Sequence, residues 1–121
     1  MISNCLFVGA GGAAGAVCRY LMGLIPWLQR GAFPLPTLLI NLLGAFLIGL
    51  IAQRAGGPAG MDPNLVLLLK VGFCGGFTTF STFSLESLSL LESGRWGLFS
   101  LYAGLSLVLC IAGAALGKAV G

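Results

Sequence analysis

Ten consecutive residues, Gly75-Gly76-Phe77-Thr78-Thr79-Phe80-Ser81-Thr82-Phe83-Ser84, carry two glycines, five hydroxyl side chains and three phenylalanines inside an apolar segment long enough to cross a membrane. Hydroxyls can donate hydrogen bonds to an anion. Phenyl rings have positive edges that can face an anion without donating one. A helix interrupted at Gly75–Thr78 would free backbone carbonyls, which attract a hard cation. Within hydrocarbon such a run is tolerated only where it lines a cavity or meets another helix. The run therefore reads as a broken helix at a permeation site. The structural alternative is an aromatic packing face whose hydroxyls bond back to the carbonyl four residues earlier. If helical, Phe77, Phe80 and Phe83 share one face, and Thr79, Thr82 and Glu86 form a polar stripe beside it, with Ser81 adjacent.

Other polar residues fall within apolar segments. Arg19 sits between Cys18 and Tyr20 in the first segment. A central arginine costs roughly 2.5–3.5 kcal/mol on insertion scales. Either it snorkels to the nearer interface, or it is a fixed charge that attracts anions or anchors a neighbouring helix end. Lys70 precedes the glycines and either pairs with a carbonyl or Glu86, or adds positive potential to a water-filled vestibule. Thr37 and Asn41 share a helix face that Gly44 continues. The Asn41 amide either bonds across to another helix or points an N–H at a permeating anion. In the last segment Tyr102, Ser106 and Cys110 are four apart and place polar groups on one face.

These residues must be positioned by membrane-spanning helices. Of 121 residues 58% are hydrophobic and 7% charged, and mean hydropathy is +1.05. A soluble domain carries about 25% charged residues. Four apolar segments, 2–28, 35–54, 64–91 and 96–120, each reach the roughly 20 residues needed to cross the hydrocarbon core. The loops are Gln29–Pro36, Ala55–Pro63 and Glu92–Arg95, and Trp27 and Trp96 fall at interfaces. The N-terminal segment lacks a basic start and is too long for a signal peptide. With four crossings, Arg54 and Lys118 lie on one side and Arg30 and Arg95 on the other. This balance gives no positive-inside bias and favours insertion both ways round, hence an antiparallel dimer. No internal repeat supplies the inverted symmetry common in transporters, and dimerisation would provide it. Small residues recur at close-packing spacing: Gly11 and Gly15, Gly72 and Gly76, Gly113 and Gly117.

Several classes are excluded. Gly9-Ala10-Gly11-Gly12-Ala13-Ala14 fits a dinucleotide fingerprint, but no strand precedes it and the first acid is Asp62. The four cysteines form no C-x-x-C pair, and there is no histidine, which argues against zinc. A net charge of +3, thinly spread, argues against nucleic acid. No nucleophile–base pair suggests an enzyme.

Three motifs carry a resemblance: Gly12-Ala13-Ala14-Gly15-Ala16-Val17-Cys18-Arg19-Tyr20, then Thr37-Leu38-Leu39-Ile40-Asn41-Leu42-Leu43-Gly44, then the run from Gly72 to Phe83. In order, spacing and span number the chain resembles the Fluc/CrcB fluoride channels of microbial inner membranes. The resemblance implies an all-α integral membrane protein of four transmembrane helices, the third broken near Gly75–Thr78. It implies a dual-topology antiparallel homodimer, embedded in lipid, whose two pores passively export fluoride that enters the cell as the acid. It further implies a central structural sodium held by the backbone carbonyls of Gly75 and Thr78 from both subunits. By the same resemblance Phe80, Phe83 and Asn41 line the pore, Ser81 and Thr82 form a polar track, and Tyr102 and Ser106 add to it. Arg19 matches the family arginine, and with Lys70 it would raise anion concentration at the mouths, while Glu86 borders the track. Cys110 stands where some relatives carry a hydroxyl, and a thiol is a poor donor. The competing class is a small dual-topology transporter for another small ion or an organic cation. Such exporters resemble one another in a glutamate in the first span, where this chain has Arg19 and no acid.

Overall fold

The computed structural model describes residues 1–121 and is entirely helical outside its turns. Its four spans are long and apolar enough to cross a membrane. Helix α1 covers Ile2–Gly23. Pro26 ends the regular winding, and Pro26–Gln29 form a 3-10 turn. The first span is thus shorter than the apolar run to Leu28, because proline lacks the N–H that would continue the helix. Helix α2, Leu35–Ala55, starts with Pro36 in its first turn, where a missing donor costs nothing.

The third span holds two helices. The first, α3, begins with α-helical Pro63–Val66, capped by the Asp62 carboxylate, which accepts from the Asn64 N–H at 2.8 Å. It winds through a wider π-helical stretch, Leu67–Cys74, and closes with Gly75–Phe77. Thr78 and Thr79 are extended. The second, α4, then runs over Phe80–Glu92. Gly94, at φ +76°, makes the left-handed turn that L side chains resist, and α5 follows over Trp96–Val120.

The helix break falls at the C-terminal edge of the expected region. Gly75 and Gly76 are helical, and the interruption belongs to the two threonines. This changes the aromatic pattern. Phe77, on the near side of the break, is buried and stacks on Phe73 at 5.6 Å. It therefore leaves the face it would share with Phe80 and Phe83 in an unbroken helix.

Packing follows the small residues. In lipid there is no hydrophobic drive between helices, so close backbone approach must supply the association. Helix α1 lies along α3, and a Cβ on Gly15 would strike the Phe73 carbonyl and come within 2.8 Å of the Phe77 nitrogen. A Cβ on Gly72 would meet the Val8 carbonyl at 2.8 Å, and one on Gly76 the Gly12 carbonyl at 2.5 Å. The Gly11/Gly15 and Gly72/Gly76 pairs thus face each other. Gly113 and Gly117 seat α5 on Leu42, Phe46 and Leu50 of α2. A smaller side-chain core of Leu38, Leu90 and Tyr102 joins α2, α4 and α5.

Gly15→Val should therefore destabilise the fold by about 3 kcal/mol through overpacking. Gly9, whose Cβ would meet nothing within 4 Å, should accept valine within about 0.5 kcal/mol. Thermal unfolding of the two variants in detergent checks this, and equal midpoints would refute the contact.

Candidate functional site

The break is held by one side chain from α2. Asn41 Oδ1 accepts the Thr79 N–H at 2.7 Å, and Asn41 Nδ2 donates to the Thr79 carbonyl at 3.1 Å. Both backbone groups of Thr79, the second of the two extended residues, are thus satisfied, as a low-dielectric setting requires. The hydroxyls of the two extended threonines cap the two helix ends. Thr78 Oγ1 donates to the Cys74 carbonyl at 2.8 Å. Thr79 Oγ1 accepts the Thr82 N–H at 3.2 Å and donates to Thr82 Oγ1 at 3.0 Å, an N-cap for α4. Its oxygen also lies 3.3 Å from Ser81 Oγ.

Arg19 completes the frame from α1. Its Nε donates to the Gly76 carbonyl at 3.1 Å, so a cation sits at the C-terminal end of α3, where the helix dipole favours it. Of the two readings open for Arg19, the geometry places it as an anchor of a neighbouring helix end.

Two backbone acceptors remain. The Thr79 N–H that would reach the Gly75 carbonyl in a continuous helix is taken by Asn41. The Thr78 carbonyl receives no hydrogen bond.

Beside the break lies a cavity of about 500 Å³. Asn41, Thr78, Thr79, Phe80, Phe83 and Ser106 contribute to its wall, with Cys74 and Cys110. No acid, lysine or arginine lines it. Ser106 Oγ is buried and has no hydrogen-bond partner in the chain. Phe80, 77% exposed, projects outward, and its ring stands 5.4 Å from Phe83. The aromatic chain continues to Tyr102 at 5.0 Å and from there to Phe33, edge-on, at 5.6 Å. Tyr102 is fully buried and donates to Glu86 Oε1 at 2.9 Å.

The structure gathers Asn41, Gly75, Thr78, Phe80, Phe83 and Ser106 around one cavity, with Tyr102 behind Phe83. Ser81 and Thr82 lie at the start of α4 beside the Thr79 hydroxyl. Glu86 is one turn further, held by Tyr102. Lys70 is exposed on α3 and lines neither of the two main cavities. Thr79 is the residue whose importance its sequence position understated, since its role depends on Asn41 reaching it from 38 residues away. Ser89 and Ser93 extend the Thr79–Thr82–Glu86 stripe at alternating spacings of three and four. The same periodicity signals them, although they lie beyond the glycine-rich run.

A polytopic helical membrane protein with a broken span, an asparagine clamp and an uncharged cavity at mid-span is built as an ion-conducting protein. The chain belongs to the CrcB family: the model for "CrcB-like protein, Camphor Resistance (CrcB)" matches residues 6–118. It is 47% identical over 121 aligned residues to a protein of Magnetococcus marinus, covering 95% of this chain and 94% of that one. It is 46% identical to one of Rhizobium meliloti, covering 98% and 99%, and 45% identical to one of Chlorobaculum tepidum, covering 93% and 86%. All three carry the name fluoride-specific ion channel FluC.

Replacing Asn41 with leucine should leave the Thr79 N–H and carbonyl unpaired in the membrane interior and cost about 3 kcal/mol. A lowered unfolding midpoint in detergent is the expected result. A wild-type midpoint would show that the break holds itself.

Proposed function

We propose that this chain is a fluoride-selective channel that lets cytoplasmic fluoride leave passively through the bacterial inner membrane. The observation that carries the reading is the uncharged cavity at the broken third span, lined by Asn41, Phe80, Phe83 and Ser106. The kinship with proteins named for fluoride supports the choice of ion.

Fluoride is small and strongly hydrated, so its path must replace water with donors yet release the ion readily. The unpartnered Ser106 hydroxyl and the second N–H of the Asn41 amide are such donors. The positive edges of Phe80 and Phe83 add attraction without a fixed charge. Ser81, Thr82 and Tyr102 continue the track. Arg19 is turned to the Gly76 carbonyl and Glu86 to the Tyr102 hydroxyl, so neither creates a deep charged well in the cavity. Chloride, larger and a weaker hydrogen-bond acceptor, gains less from short hydroxyl donors.

The working unit is an antiparallel homodimer with two pores. Phe80 is largely exposed at mid-span, which suits a ring that reaches toward a second copy. Loop charges balanced two against two suit insertion in both orientations. A structural sodium fits the same arrangement. Gly75 has lost its helical donor and the Thr78 carbonyl accepts nothing, and carbonyl oxygens are suitable ligands for a hard cation. Two such oxygens per subunit would hold it at the dimer centre, where it would neutralise facing carbonyls and join two irregular backbones.

Purified protein in liposomes should release fluoride and retain chloride. Phe80→Ile should slow fluoride efflux by about tenfold, the scale of one lost aromatic contact. Asn41→Asp should slow it at least as much, since a carboxylate in the cavity wall repels the anion. Absence of fluoride flux, or equal chloride flux, refutes the reading; wild-type rates in both variants remove the pore assignment. Replacing all sodium with a large organic cation should lower the unfolding temperature in detergent and shift dimer to monomer. An unchanged midpoint and oligomeric state would exclude the structural ion.

A further inference from the structure

A second cavity, of about 680 Å³, lies between the first loop and the last turns of α4. Glu86, Ser89, Ser93 and Arg95 line it, opposite Gln29 and Phe33. Two continuous features join it to the cavity at the break. The first is the polar stripe Thr79, Thr82, Glu86, Ser89 and Ser93, which keeps to one face of α4 by its alternating spacing of three and four. Thr79 lines the first cavity, and the last three line the second. The other is the aromatic chain from Phe80 through Phe83 and Tyr102 to Phe33. It begins in the wall of the first cavity and ends in that of the second.

From this juxtaposition we infer that the second cavity is the mouth at which fluoride enters or leaves the path, with Arg95 as its anion-collecting charge and Ser89 as a further hydroxyl contact. The inference rests on the fluoride-channel reading and adds to it a place and two residues. Glu86 poses the electrostatic problem that Arg95 answers. A carboxylate bordering the route repels an anion, and the Tyr102 hydroxyl bound to Oε1 offsets only part of its charge. Arg95, in the turn just outside, is exposed, and its hydrogen bonds are made by its backbone, from its N–H to the Leu90 carbonyl and from the Phe99 N–H to its own carbonyl. Its guanidinium is thus uncommitted, and substitution leaves the turn's backbone bonds intact. Gln29, by contrast, donates to the Gly23 carbonyl and ties the opposite wall to the end of α1.

A unit charge a few ångströms from the ion's route in a water-like medium changes local ion concentration by about fivefold. The Debye length is about 30 Å at 0.01 M salt and about 3 Å at 1 M, so ionic strength separates steering from structure. Fluoride efflux from liposomes would be measured at those two strengths, set with an impermeant organic salt, for wild type, Arg95→Gln, Arg95→Glu and Ser89→Ala. At low salt Arg95→Gln should be slower by about fivefold and Arg95→Glu slower still, and both deficits should shrink at high salt. Ser89→Ala should be slower at both strengths. Wild-type rates in both Arg95 variants, or a deficit independent of salt, would overturn the collecting role, and a wild-type rate for Ser89→Ala would remove that contact. If the wild-type protein itself moves no fluoride, the channel reading falls first.

Discussion

The pairing of Asn41 with both backbone groups of Thr79 is the constraint on which the rest of this structure depends. A span that stops being helical inside hydrocarbon exposes an N–H and a carbonyl that no water will satisfy. One amide side chain, presenting an acceptor and a donor side by side, meets both needs at 2.7 and 3.1 Å. Because the clamp comes from α2, it ties the break to the α2–α3 contact, and residues of both helices line the cavity. The caps by Thr78 and Thr79, and the Arg19 contact with Gly76, finish the accounting. Around the cavity, the Thr78 carbonyl and the Ser106 hydroxyl stay unpaired and the Gly75 carbonyl has lost its helical donor, and these are the groups to which the proposed function gives ions.

The charged side chains are managed in the same way. Arg19 and Glu86 both lie within spans, each is hydrogen-bonded to a partner in the protein, and neither lines the cavity at the break. Conduction needs attraction without trapping, and neutral donors with ring edges meet that need better than a bare arginine or carboxylate. The clamp fixes Thr79 against α2 through two hydrogen bonds. The close backbone contact of α1 with α3, made possible by facing glycines, holds the frame that the clamp closes.

Much of this was legible in the residues. The four spans follow from hydropathy and length. The third was marked as interrupted by its glycines and hydroxyls, and the glycine pairs were visible as packing motifs. Which pairs face each other was not, since spacing along one helix carries no information about its neighbour. Gly75 and Gly76 suggest the point of breakage, yet they remain helical, and Gly76 serves close contact with Gly12. The break moves to Thr78 and Thr79 because their hydroxyls can cap helix ends and Asn41 can reach Thr79. Phe77 then leaves the aromatic face it would share in an unbroken helix. The first helix ends before its apolar run does for a simpler reason: apolar residues continue to Leu28, but Pro26 cannot extend the helix.

The sequence by itself determined the membrane, the number of crossings, the chemistry available at the third span and the family to which these motifs belong. Those properties reside in composition and local order, because each span must satisfy its own length and hydropathy. Tertiary structure decided which polar groups are occupied and which are free. Asn41 and Thr79 are 38 residues apart, Arg19 and Gly76 are 57 apart, and Tyr102 and Glu86 lie on different helices. A hydrogen bond between such groups depends on helix packing, and packing in lipid is set by the meeting of small-residue faces that no single segment specifies.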